Sequence, residues 1–119
     1  MSPYDHSRLS VKRFEGRIVD YIEIHRFLDS TKFHFPTYLH RAVLHNSFGM
    51  ELCEKLFGDV ITLENGKTIA VREIARRHIL EDCNQIPTLK ESIVALIEGN
   101  YGELYNKPRK EDLQWLKEN

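Results

Sequence analysis

The dipeptide Asn65-Gly66 lies between two short β-branched runs, in "VITLENGKTIAV". Asn-Gly in that setting is the strongest short-range signal for a β-hairpin. A two-stranded hairpin alone is marginal in water, so this one must pack on helices or pair with another chain. The rest of the sequence carries helical spacing. The expected fold class is therefore mainly α: one compact helical domain over residues 1–119 with a single hairpin at about residues 60–71.

The helices can be placed by their end signals. A first helix is expected over Val19–Ser30, with Asp20 and Glu23 at capping-box spacing and Tyr21, Ile24, Phe27 and Leu28 on its apolar side. Pro36 favours a helix start, and periodicity runs from there to Gly58, with Gly49 as the position to bend or split it. "VREIARRHILEDC" returns to helix after the hairpin. Thr88 and Glu91 form a capping box for "LKESIVALIEG", which Gly99 ends. Pro108 opens a last helix over residues 107–119, where Leu113, Trp115 and Leu116 offer a docking edge on an otherwise solvated face. Residues 1–17 read as irregular, and His6 and His34 as surface or loop residues.

Composition narrows the function classes. The chain is 41% hydrophobic and 29% charged, which suits an ordinary core, and its net charge of -1 argues against an extended nucleic-acid surface. No apolar run approaches a membrane span, and the N-terminus lacks an apolar signal core, so a cytoplasmic protein is expected. Cys53 and Cys83 lack a CxxC arrangement, so free thiols are expected rather than a zinc knuckle.

Chemistry concentrates in polar pairs four residues apart, which share a helix face. These are His25 with Asp29, Arg41 with His45, and His78 with Asp82, the last flanked by Glu81. His45 follows Arg41 on a line that continues to Gly49, Leu52 and Leu56, so it should face inward. His25 shares its side with Tyr21 and Leu28, and His78 with Ile74. Inward histidines from separate segments can converge on one polar cavity.

That convergence supports a metal centre. Imidazole and carboxylate donors suit zinc, iron or manganese, with His25, His45, His78 and Asp82 as ligands and Asp29 as a further ligand or an acceptor behind them. Asp29 and Glu81 would orient ligands or act as catalytic base in a metal-dependent hydrolase of a phosphorylated or nucleotide-like substrate. The sequence has no HExxH and no His-Asp dipeptide of the metal-dependent phosphohydrolase kind. A second reading uses the same neighbourhood to sequester a nucleotide or other small anion without turnover. Lys32, Arg41, Arg72 and His40 would grip the anion, and Tyr21, Phe33, Phe35 or Tyr38 would stack on a base. A third is an interaction module, or a homo-oligomer, joined through the hairpin or the C-terminal helix, with the polar pairs purely structural. A histidine on an apolar face is, after all, more often a satisfied core residue than a ligand.

The order of these residues also carries a resemblance. His25, Asp29 and Lys32 are followed by His40-Arg41 and His45, then Phe57-Gly58, Asn65-Gly66-Lys67 and Arg72, then His78, Asp82 and Ile86-Pro87-Thr88. Over residues 18–88 this resembles a family of short, uncharacterised bacterial and phage proteins, a domain of unknown function. The resemblance implies no activity, cofactor or catalytic residue. It departs from the family pattern at Cys83-Asn84, where a glycine is frequent, which puts the conformation of that loop in question.

Overall fold

A computed structural model describes residues 1–35, 37–99, 101–105 and 118. The expected C-terminal helix with Trp115 falls outside them, apart from residue 118.

The first seventeen residues are not irregular. Helix α1 spans Pro3–Phe14, with Pro3 in its first turn and Ser2 as N-cap, the Ser2 hydroxyl accepting from the Asp5 amide at 3.1 Å. Its buried face is His6, Ser7 and Ser10, so the usual apolar stripe is missing and periodicity alone overlooks it. Helix α2 spans Ile18–Leu28. The expected Asp20–Glu23 box does not form. Asp20 instead sits one turn in and accepts from the Arg17 amide at 2.7 Å, while Glu23 pairs with Arg26 on the surface.

Two 3-10 turns, Ser30–Phe33 and Thr37–His40, lead into the short helix α3, Arg41–Leu44, and then α4, Ser47–Phe57. The expected single helix to Gly58 is thus broken, and the break lies at His45-Asn46 rather than Gly49. Asn46 causes it. Its side-chain oxygen accepts from the Phe48 and Gly49 amides, and its amide nitrogen donates to the Ala42 and Val43 carbonyls. One buried side chain therefore closes the end of α3 and opens α4. Gly49 has a different duty, because a Cβ there would lie 1.7 Å from the Leu44 carbonyl oxygen.

Strands β1 (Val60–Thr62) and β2 (Thr68–Ala70) pair antiparallel, with Ile61 opposite Ile69. Gly66, at φ 87°, donates to the Leu63 carbonyl, and the Leu63 amide donates to Lys67. The connection is thus a three-residue loop with glycine at its left-handed position. The hairpin packs on α4 and on α5, Val71–Cys83. The α5 stripe at 71, 74, 75, 78, 79, 82 and 83 is buried, as the 3.6-residue period requires. Asn84 ends α5 in the left-handed conformation, φ 61°, taking the geometry that glycine would supply. Helix α6, Leu89–Glu98, has the expected Thr88–Glu91 capping box and ends at left-handed Gly99; α7 is Tyr101–Tyr105.

Helix α5 packs on both α2 and α4, and α1 lies along α2. Tyr21, Leu28, Cys53, Ile74 and Ile79 are fully enclosed. Cys53 and Cys83 are free thiols, pushed up to about 12 by burial. Among the described residues, no helix is long and apolar enough to cross a membrane.

Candidate metal centre

The buried stripe of α5 changes character halfway. Val71, Ile74 and Ala75 are apolar, whereas His78 and Asp82 carry it on toward the C-terminal end. Helix α2 does the same with Tyr21 and Ile24, then His25, and Asp29 just past its last residue. The break between helices α3 and α4 turns His45 toward these two helices. α1 brings His6 and Ser10 from the other side.

The imidazoles form one connected group. His25 Nδ1 and His78 Nδ1 are 2.8 Å apart, and His78 Nε2 lies 3.2 Å from His45 Nε2. His78 Nε2 is also 3.1 Å from Asp29 Oδ1 and 3.5 Å from Asp82 Oδ2. His45 Nε2 is 2.9 Å from Asp82 Oδ2 and 3.5 Å from Asp29 Oδ1. Donor atoms from Asp29, His45, His78 and Asp82 therefore all lie within 4.8 Å of one another, and all four residues are buried.

The hydrogen-bond network fixes where the protons are, and tautomers are assigned from it. The Ser10 hydroxyl donates to the His6 carbonyl, so it accepts from His25 Nε2 at 2.7 Å. His25 Nδ1 is then the acceptor, and His78 Nδ1 must donate to it. Burial first, and then the neighbouring His45 and His6, hold His78 well below the usual imidazole range, against the pull of Asp29. His78 is thus neutral, with its one proton on Nδ1. Its Nε2 lone pair points at two carboxylates, a contact among acceptors that a cation would relieve, with His45 Nε2 beside it.

A second group, His6, His25 and His78, also brings three nitrogens close. Its ring geometry is different. His6 stacks on His78 with centroids 3.7 Å apart and planes 24° from parallel, and His25 is 20° from the plane of His78. Nearly parallel stacked rings do not aim in-plane lone pairs at a common point. His45 meets His78 edge-on at 66°, with their Nε2 atoms 3.2 Å apart.

Charge follows the same division. Burial pushes His25 down to about 3, helped by the charge of His6, and burial likewise lowers His45. His6 goes the other way. Burial would lower it, but Asp82 and Glu81 outweigh that and raise it. Its Nδ1 donates to Glu81 Oε1 at 2.6 Å, and its Nε2 is 3.2 Å from Asp82 Oδ1, off-axis for a hydrogen bond. Burial would raise Asp82, but the hydrogen bond from His45 and the charge of His6 hold it well below the ordinary carboxylate range. Asp29 is also held below the ordinary carboxylate range, with His40 the leading group opposing its burial. Two ionised carboxylates and two neutral imidazoles face one another, a donor set matched to a divalent cation.

The remaining expected site residues divide between the rim and the surface. His40 is buried, with Nε2 3.8 Å from Asp29 Oδ1, and Lys32 Nζ lies 3.5 Å from Asp29 Oδ2 with its side chain 41% exposed. Arg41 is buried. It donates to the Asp82 and Tyr105 carbonyls and places a second nitrogen 3.7 Å from Asp82 Oδ1. Glu81 is held by His6. Arg72 is elsewhere, on the surface, bonded to Glu54 at 2.7 Å.

His6, read from the sequence as a surface residue, is fully buried at the heart of this group, and Ser10 fixes its proton order. The signal that finds both is Ser2-Pro3 with Asp5, a helix start that puts His6 and Ser10 on one face.

No curated protein and no solved structure matches the chain. A family profile does match, over residues 1–100, a span that reaches beyond the 18–88 resemblance and takes in α1 together with every residue of the histidine–aspartate group. The chain therefore belongs to the family described as Domain of unknown function (DUF6915).

Proposed function

We propose that this protein binds one divalent transition-metal ion through Asp29, His45, His78 and Asp82. The observation that carries the reading is the convergence of four buried donor atoms, with His78 Nε2 3.1–3.5 Å from Asp29, His45 and Asp82. Two nitrogens and two carboxylate oxygens suit zinc, iron or manganese. His25 belongs behind the ligands rather than among them, because both its nitrogens are committed to Ser10 and His78. It sets the tautomer and angle of His78, as outer partners of metal-bound histidines do.

Metal analysis of protein purified without a polyhistidine tag tests this. The expected result is about one ion per chain, lost in His78→Ala. Sub-stoichiometric metal that neither chelator nor His78→Ala alters removes the reading.

Hydrolysis of a phosphorylated or nucleotide-like substrate is the extension of this proposal. Lys32 supports it, since it is the partly exposed cation touching Asp29 and marks a side from which an anion can approach. In that scheme a bound ion would supply Lewis-acid polarisation, and Lys32 would neutralise the approaching anionic group. Metal-loaded protein assayed on simple phosphomonoesters and phosphodiesters checks it, with Lys32→Ala expected to raise KM more than it lowers kcat. Sequestration of a nucleotide without turnover has less support: Arg41 is committed to backbone carbonyls and Arg72 to Glu54.

A further inference from the structure

Helix α6 is attached to the body in an unusual way. Its buried residues are the small Ser92 and Ala95, and Ser92 donates to the Ala42 carbonyl at 2.6 Å. Its large apolar residues point outward instead. Ile97 is 79% exposed, Ile93 48%, Leu96 39% and Val94 37%. Residues 90, 93, 94 and 97 follow the i, i+3, i+4, i+7 rule and form one stripe: Lys90, Ile93, Val94, Ile97. A contiguous outward apolar stripe on a helix marks an interaction surface.

The charges on α6 indicate what covers it. Lys90 and Glu98 are exposed, and neither makes an ion pair among the described residues. They lie four residues either side of Val94, about 6 Å along the axis in each direction. Two copies of α6 placed antiparallel with Val94 at the twofold axis bring Lys90 of each copy level with Glu98 of the other. The apolar residues then meet at the centre. Such an arrangement is isologous and closed, so it ends at two chains.

We propose that α6 is a homodimerisation helix, pairing antiparallel with α6 of a second copy of this chain about Val94. It is independent of the metal centre.

Sedimentation equilibrium of the full chain at about 100 µM is the first test, and the expected species has twice the chain mass. Ile97→Glu should sediment as a monomer with unchanged circular dichroism, since Ile97 is largely exposed and its loss should not unfold the helix. Lys90→Glu and Glu98→Lys should each weaken the dimer about tenfold, each pair being counted twice by symmetry, and the double reversal should restore it to within about threefold. Val94→Cys should cross-link chain to chain under mild oxidation. A monomeric full chain, a dimer that survives Ile97→Glu, or a double reversal no better than the singles overturns the proposal. So does a monomer with no Val94→Cys cross-link, which would assign the stripe to another segment of the same chain.

Discussion

The two halves of α5 present one buried stripe with two kinds of chemistry. Toward its N-terminal end, Val71, Ile74 and Ala75 pack among apolar neighbours and depend on burial. Toward its C-terminal end, His78 and Asp82 sit among His6, His25, His45 and Asp29, equally enclosed but held by hydrogen bonds and charge. The backbone is the same regular helix in both halves. The comparison teaches that burial alone does not say what a position contributes. The apolar half should be indifferent to pH and metal, and the polar half should respond to both.

Ile74→Ala should give the largest stability loss, about 2–5 kcal/mol, because Ile74 is fully buried and leaves a cavity. Denaturant unfolding should return the same loss at pH 6 and pH 8, and with or without metal. A loss that varies with metal breaks the division between the halves.

Metal saturation should stabilise the wild-type chain by about 2.7 kcal/mol at a hundredfold excess over Kd. Chelator should reverse this. The increment should survive Ile74→Ala and disappear in His78→Ala, as thermal scans of the three proteins would show.

His25→Ala should weaken metal binding about 10–100-fold, because His78 loses the acceptor that fixes its proton. His25→Asn, whose side-chain oxygen can stand in for Nδ1, should recover much of that in a competition titration. Equal loss in both variants sinks the positioning role.

Acid should act on the polar half. His25, His45 and His78 are depressed below their unfolded value of 6.5, so the unfolded chain binds more protons between there and the folded values. Their stability is fully present above about pH 6.5 and lost as the pH falls, by up to about 1.4 kcal/mol per pH unit for each histidine titrating. Asp29 and Asp82, also depressed, add a loss below the ordinary carboxylate range. His6 is raised and works in the opposite sense, losing its contribution as the pH rises above 6.5. Metal-free protein should therefore be less stable at pH 5 than at pH 7 in urea, and His78→Ala should flatten that slope.

The smallest effect belongs to Arg72→Ala. The Arg72–Glu54 pair is partly exposed, so its loss should cost under about 1 kcal/mol and leave metal affinity unchanged. A fall in affinity on calorimetry would tie this surface to the buried centre.

Much of this was legible from residue order alone. The hairpin, α5 and α6 declare themselves through Asn65-Gly66, a full apolar period, and a capping box closed by Gly99. The convergence of His25, His45 and His78 followed from their inward-facing neighbours. What stayed hidden has common causes. Helix α1 buries His6, Ser7 and Ser10, so a search for apolar periodicity passes over it. The break before α4 comes from Asn46 bonding to two helices at once, a long-range fit that local propensity does not reveal, and Gly49 offered a more obvious position. Asp29 was legible as a ligand or acceptor, but the end of α2 one residue before it was not, since helix ends are what pattern reading fixes least well.

Asn46 also bears on how His45 meets an ion. With one amide latching the helix on either side, the backbone at residue 45 has no slack to take up. The entropy of ordering that ring is then spent when the chain folds, not when the ion arrives. Under the proposed metal reading, capture would be a matter of exchanging hydration water for atoms already in place, and the two helices should keep the same relative pose before and after.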